Sequence, residues 1–156
     1  MAYMKQVLFI AHAPSANLVK LRNGIVDACQ SGVAENTRVV CMSPFEVTSD
    51  TLLSAHGVII LTPENFGYMS GALKDCFDRC YIDWLDKTQG LPYLLVVRAG
   101  TDGSGTVQSV QSVLTGLRWR AVNDAIVLQG EFDPSFVAGA AEYAQALVAG
   151  VYTGIF

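Results

Sequence analysis

The sequence predicts an α/β fold: a three-layer sandwich whose five-stranded parallel sheet carries helices on both faces. Three observations predict it. Five short apolar runs alternate with helical patterns along 156 residues. Most of these runs are unbroken rather than alternating in polarity, the mark of strands covered on both sides. Strand followed by helix, repeated five times, becomes an open parallel sheet once the crossovers are right-handed. With 51% hydrophobic and 15% charged residues, against about 25% charged in an average globular chain, the chain must hide much of its surface in a core or a subunit interface. No repeat, low-complexity tract or linker interrupts it, so residues 1–156 read as one domain.

The strand runs are Gln6–Ala11, Arg38–Met42, Gly57–Leu61, Tyr93–Val97 and Ala125–Leu128. Between them apolar residues recur at helical spacing. Leu18, Leu21, Ile25, Val26 and Cys29 make one stripe, and Leu73, Cys76, Phe77, Cys80, Tyr81 and Trp84 a second. Val107, Val110, Leu114 and Leu117 make a third. Asp133-Pro134 reads as a cap followed by proline in the first helical position. Phe136, Val137, Ala140, Ala144, Leu147 and Val148 line the last helix, and Thr51–Ala55 leaves room only for a short one.

Sheets of this kind bind ligands outside the carboxyl ends of their strands, where the strand order reverses. The loops expected there run over His12–Asn17, Thr62–Gly71 and Arg98–Thr106. The first leads into a helix whose opening amides favour a phosphate. Ser15 and Asn17 add side-chain donors, or simply cap the helix. Neither a Walker loop nor a G-x-G-x-x-G fingerprint is present. In the second loop Phe66 and Tyr68 flank Gly67. They pack beneath the loop, meet a subunit, or border a flat ring that Gly67 lets the backbone approach. The third loop offers Gly100, Gly103, Gly105 and several hydroxyls, for close backbone approach or as a flexible turn.

Composition excludes other classes. The net charge is −4 with no Lys/Arg-rich stripe, which argues against nucleic acid as a partner. No apolar stretch approaches the roughly 18 residues of a membrane span. Val7–Ala11 after Lys5 is too short for a signal core, so a cytoplasmic location is expected. Cys29, Cys41, Cys76 and Cys80 read as small buried hydrophobes of a reducing compartment. A metal site built on Cys76 and Cys80 would need further ligands, and His12 and His56 are the only histidines.

The segment T-P-E-N-F-G-Y-M-S-G-A-L-K-D-C-F-D-R, supported by A-G-T-D-G-S-G, resembles the flavin-contacting part of the flavodoxin-like superfamily. It is most similar to NAD(P)H-dependent FMN reductases and to quinone reductases of the tryptophan-repressor-binding-protein type. The resemblance covers nearly the whole chain and implies the strand order 2-1-3-4-5. It implies FMN as cofactor, with His12, Ser15, Asn17 and Leu18 around the phosphate and ribityl chain. It places Pro63, Glu64, Asn65, Phe66, Gly67 and Tyr68 along the ring, with Gly100, Thr101, Asp102, Gly103 and Gly105 closing the site. The first loop departs from the hydroxyl-rich S/T-x-T-G-x-T of flavodoxins, reading H-A-P-S-A-N, and keeps only the S-x-N of FMN reductases.

The implied function is transfer of electrons from NAD(P)H through FMN to a quinone, flavin or similar acceptor. A flavodoxin-type electron carrier and a non-catalytic flavodoxin-fold binding module are the other readings. The flavin carries the redox chemistry, and Asn65, Gly67 and the third loop could supply amides that stabilise its reduced ring. Tyr68 and Arg98 are the side chains that could take a direct part. Tyr68 could equally serve packing or an interface. Arg98 leaves a buried strand at its carboxyl end, to approach the ring or to form a surface salt bridge. His12 touches phosphate or is a polar loop residue, and Glu64 borders the ring or is merely solvated. Lys74 and Asp78 read as a surface or subunit-interface pair, and Asp75 and Asp83 as solvated helix-face charges. The aromatics Phe66, Tyr68, Tyr81 and Trp84, with the apolar balance, suggest a homodimer or larger assembly.

Overall fold

The computed structural model describes residues 4–31 and 36–156. Its elements run β1 (Lys5–Ala11), α1 (Ala16–Ser31), β2 (Thr37–Met42), α2 (Ser49–Leu53), β3 (Gly57–Pro63), α3 (Gly71–Trp84), β4 (Pro92–Ala99), α4 (Ser104–Gly116), β5 (Arg120–Ala121), β6 (Ile126–Gln129) and α5 (Ser135–Thr153). Strands lie in the order β2-β1-β3-β4-β5, with β6 also on β4, and every pairing is parallel.

The period of two along each strand divides the core in half. Leu8 and Ile10 of β1, Val58 and Ile60 of β3, and Leu95 and Val97 of β4 face α3 and α4. Their neighbours Val7, Phe9, Ile59, Leu61, Leu94 and Val96 face α1 and α5. The central strands are therefore apolar at every position because both faces are covered. The apolar stripes of α1 and α3 fall on these two faces as their spacing requires. Trp84 belongs to the first half and is fully buried. Its indole donates to Ser49 O at 3.1 Å, so it is a core residue and supplies no subunit contact.

The fifth strand differs from the uninterrupted run expected at Ala125–Leu128. It is broken in two on one edge of β4. Ala121 pairs with Tyr93 and Ile126 with Val96, so residues 122–125 stand opposite only residues 94–95. The chain must bulge there, and Asn123-Asp124, residues that favour turns, occupy the excursion. Asp133 accepts from Ser135 N at 2.8 Å, but α5 begins at Ser135 with Pro134 as its N-cap, one residue later than the Asp133-Pro134 reading places it.

One further expectation needs correction. Cys29, Cys76 and Cys80 are buried, but Cys41 is exposed, because β2 is the sheet's edge strand. Asp75 and Asp83 are exposed on their helix face, as expected, and each has a partner. Asp75 pairs with Arg79 at 2.8 Å, and Asp83 accepts from Ser49 Oγ at 2.6 Å. Arg79 also donates to the carbonyls of Val47 and Pro44, each at 2.8 Å, which ties α3 to the turn after β2.

Trp84→Ala is expected to cost about 3–5 kcal/mol of stability, as loss of a large buried aromatic does. Equilibrium urea unfolding measures it. A change below about 1 kcal/mol would contradict the core assignment.

Candidate functional site

Register alone brings three loops together. Ala11 stands beside Leu61, and Pro63 beside Arg98, so the chain leaves β1, β3 and β4 at adjacent points on one rim. His12 N donates to Leu61 O at 3.0 Å, and Glu64 N to Arg98 O at 2.8 Å, which extends the sheet pairing one step into each loop.

The first loop opens α1. Ser15 Oγ accepts from Leu18 N at 3.3 Å, so this serine caps the helix. Pro14, Ser15, Ala16 and Asn17 are all exposed. The amides of Ala16 and Asn17 precede the first intrahelical donor, Val19 N, and so have no partner within the helix. Leu18, by contrast, has its side chain in the core. His12 sits edge-on to Phe45 at 6.2 Å, and partial burial lowers its pKa below the ordinary histidine value.

The second loop is a tight hairpin. Asn65 and Tyr68 exchange backbone bonds of 2.9 and 3.0 Å, and the two residues between them are left-handed, with φ 53° at Phe66 and 69° at Gly67. A two-residue turn of this hand needs positive φ at both positions. Glycine adopts it freely, whereas phenylalanine pays about 1–2 kcal/mol. Phe66 is nonetheless placed there, and its side chain is wholly exposed. Strain of this kind persists only where neighbours over-determine the conformation.

Those neighbours are hydroxyls on β3, α3 and α4. Thr106 Oγ1 donates to Tyr68 O at 3.0 Å. Ser109 Oγ accepts from Met69 N, and Thr62 Oγ1 from Ser70 N, each at 3.1 Å. Ser70 then caps α3 by accepting from Leu73 N at 3.2 Å. A Cβ on Gly105 would collide with the carbonyl oxygen of Gly67, so Gly105 lets α4 approach the hairpin tip. Thr62, Ser70, Thr106 and Ser109 were not singled out by sequence. Their only signal is a cluster of hydroxyls at the loop ends, which does not reveal their partners.

The third loop is fastened to the second through Glu64. Its carboxylate accepts from Thr101 N at 2.9 Å, Thr101 Oγ1 at 2.6 Å and Gly103 N at 2.9 Å. The Thr101 hydroxyl, more than any other group, lowers the Glu64 pKa. Asp102 is lowered too, by the Ser104 amide that it caps at 3.1 Å. Gly103 is buried against Val127 and Ala99. An added Cβ at Gly67 or Gly100 would meet nothing within 4 Å, so these two glycines face open space.

Arg98 forms no surface salt bridge. Its side chain lies on the α1 and α5 side of the sheet, donates to Ala99 O at 2.9 Å and Leu128 O at 3.0 Å, and stacks on Phe136 at 5.2 Å. The carbonyls at the ends of β4 and β6 draw it inward. Lys74 and Asp78 pair at 2.6 Å on an exposed helix face. Burial pushes the thiol of Cys29 up to about 11 and that of Cys76 up to about 12, so neither is a thiolate at neutral pH.

Residues 9–133 match the family described as NADPH-dependent FMN reductase, and the chain belongs to that family. Membership supports an FMN-binding oxidoreductase. No curated protein matches in sequence. Among solved structures, a flavodoxin from the domain Archaea is similar with a TM-score of 0.79 at 12% identity, covering 94% of this chain and 99% of that one. A WrbA-like flavodoxin protein from Agrobacterium tumefaciens gives 0.72 at 13%, covering 96% and 98%. An oxidoreductase from Corynebacterium diphtheriae gives 0.67 at 15%, covering 98% and 97%. At these identities the likeness establishes a flavodoxin-like fold.

Phe66→Asn is expected to raise stability by about 1 kcal/mol, because Asn-Gly suits this turn. Thermal unfolding of the flavin-free protein checks it, and a lower Tm would show that Phe66 is unstrained.

Proposed function

We propose that this member of the NADPH-dependent FMN reductase family uses bound FMN to pass electrons from NAD(P)H to a quinone, free flavin or similar small acceptor. The observation that carries the proposal is the convergence of an exposed helix start, a strained aromatic hairpin and an open glycine loop on one rim. The donor set suits FMN. Ala16 and Asn17 amides with the Ser15 hydroxyl offer neutral donors to a phosphate at the positive end of α1. His12 adds a ring N–H. An added Cβ at Gly67 or Gly100 meets nothing within 4 Å, so the backbone there is open to a ligand's approach.

FMN, when bound, supplies hydride acceptance and electron release. The protein's share is to bind, orient and shield. The first loop holds the phosphate tail, and its hydrogen bonds are those of a helix start rather than of basic side chains. Pro63 fixes the end of β3, where the hairpin begins. Phe66 and Tyr68 present aromatic surface to the ring, and Asn65 offers its side-chain amide to a ring edge. Gly100, Thr101, Asp102, Gly103 and Gly105 form or support the opposite wall. Arg98 is assigned to holding strand ends, since its Nη1 group donates to the carbonyls of Ala99 and Leu128.

Among the described residues no helix is long and apolar enough to cross a membrane. Together with four free cysteines, this is compatible with the reducing cytoplasm we propose. The exposed Phe66 and Tyr68 also suit a homodimer whose partner covers the ring site, and sizing chromatography of the flavin-loaded protein tests that arrangement. A purely monomeric profile would remove it.

Titration of the purified protein with FMN is expected to give a saturable change in the flavin spectrum. The complex should then oxidise NAD(P)H steadily in the presence of a quinone. Phe66→Ala should weaken FMN binding by about 2- to 10-fold, the worth of one aromatic stacking contact. A protein that leaves the flavin spectrum unchanged at millimolar FMN would refute the proposal.

A further inference from the structure

Glu64 begins the loop after β3, and its amide is already paired with Arg98 O. Its side chain crosses to the neighbouring loop. One carboxylate oxygen accepts from both the amide and the hydroxyl of Thr101, at 2.9 and 2.6 Å, and the other from the amide of Gly103 at 2.9 Å. Hydrogen bonds to an ionised acceptor are roughly twice as strong as neutral ones. Three of them from one side chain fix the shape of the short loop that carries them.

The same bonds remove donors. Flavin-binding loops offer backbone N–H groups to the polar edge of the ring, yet Thr101 and Gly103 have spent theirs on Glu64. The Ser104 amide is likewise taken, by Asp102. Gly100 lies at the open end of the loop, with nothing within 4 Å of an added Cβ.

We propose that Glu64 is a positioning residue whose carboxylate fastens the Gly100–Gly103 loop to the end of β3, so that a flavin ring meets this loop at Gly100 and not through the amides of Thr101 and Gly103. The inference rests on the FMN reading and deepens it. It separates Glu64 from the residues that touch the ring: both of its carboxylate oxygens are engaged by donors of the neighbouring loop.

The test uses full-length protein, wild type, Glu64→Ala and Glu64→Gln, first without flavin and then with FMN. Amide hydrogen exchange by NMR reports the clamp. Alanine should speed exchange at Thr101 and Gly103 at least tenfold and weaken FMN binding at least tenfold. Glutamine retains one acceptor oxygen and replaces the other with a donor NH2. It should keep Thr101 protected, lose protection at Gly103, and recover most of the FMN affinity. In wild type, adding FMN should leave both amides protected.

Unchanged exchange or unchanged FMN affinity in Glu64→Ala would overturn the proposal. So would loss of protection at Thr101 and Gly103 when FMN is added to wild type, since the carboxylate would then be a latch or a ligand. Wild-type protein that binds no FMN would refute the proposed function and the statement about Gly100. The exchange pattern in flavin-free protein would still decide the clamp by itself.

Discussion

Burial of the central strands on both faces is the constraint from which the rest follows. Between Val7 and Ile10, between Val58 and Leu61, and between Leu94 and Val97, every side chain is within a percent or so of complete burial. No polar function can be placed along such strands without an unpaired group in the core, which costs several kcal/mol. Chemistry is therefore pushed to the strand ends. Parallel pairing then puts the carboxyl ends of β1, β3 and β4 side by side, while their crossover helices start from the same rim. Loops and helix starts are what this sheet can place at that rim, and they are what the structure gathers there.

Because that rim is built of loops, its order has to be supplied by side chains. The supply is a set of short hydrogen bonds from hydroxyls and one carboxylate to backbone. Thr62, Ser70, Thr106 and Ser109 stitch the hairpin to its surroundings, and Glu64 stitches the next loop to the first residue of the hairpin segment. Side chain to backbone bonds suit this task because they fix where the chain runs while leaving the exposed edge free. They also hold Phe66 in a left-handed conformation that its own Cβ resists.

The fold was legible in the sequence because its signals are local. A buried parallel strand is an unbroken apolar run whatever lies around it, and a helix stripe keeps its period. What failed to show depended on partners far away in the chain. The Arg120–Ala121 strand is two residues long, too short to have a period, and exists because β4 offers an edge. Cys41 is apolar enough to read as core, and only the outer position of β2 exposes it. Arg98 was expected to leave the core at its strand end. It does leave, but carbonyls at the ends of β4 and β6 turn it toward Phe136 instead of a carboxylate.

The candidate site was legible to the same depth. Glycine, proline and hydroxyl content marked the three loops, and the T-P-E-N-F-G-Y segment carried the family resemblance. Roles within the loops were not marked. Leu18 stands among candidate phosphate contacts in sequence but belongs to the core. Four glycines look alike as letters, yet Gly67 and Gly100 face open space, Gly103 packs on Val127, and Gly105 makes room for the Gly67 carbonyl. Glu64 looks like any exposed carboxylate until its three donors are seen, and those lie 37 to 39 positions away in the chain. Loop composition locates such a site, whereas the division between residues that touch a ligand and residues that hold the others still is decided by tertiary distance. That division matters chemically. An acidic side chain committed to backbone donors presents less unscreened charge to the open edge of the rim. The fastening of the loop and the electrostatics of the site are thus consequences of the same three hydrogen bonds.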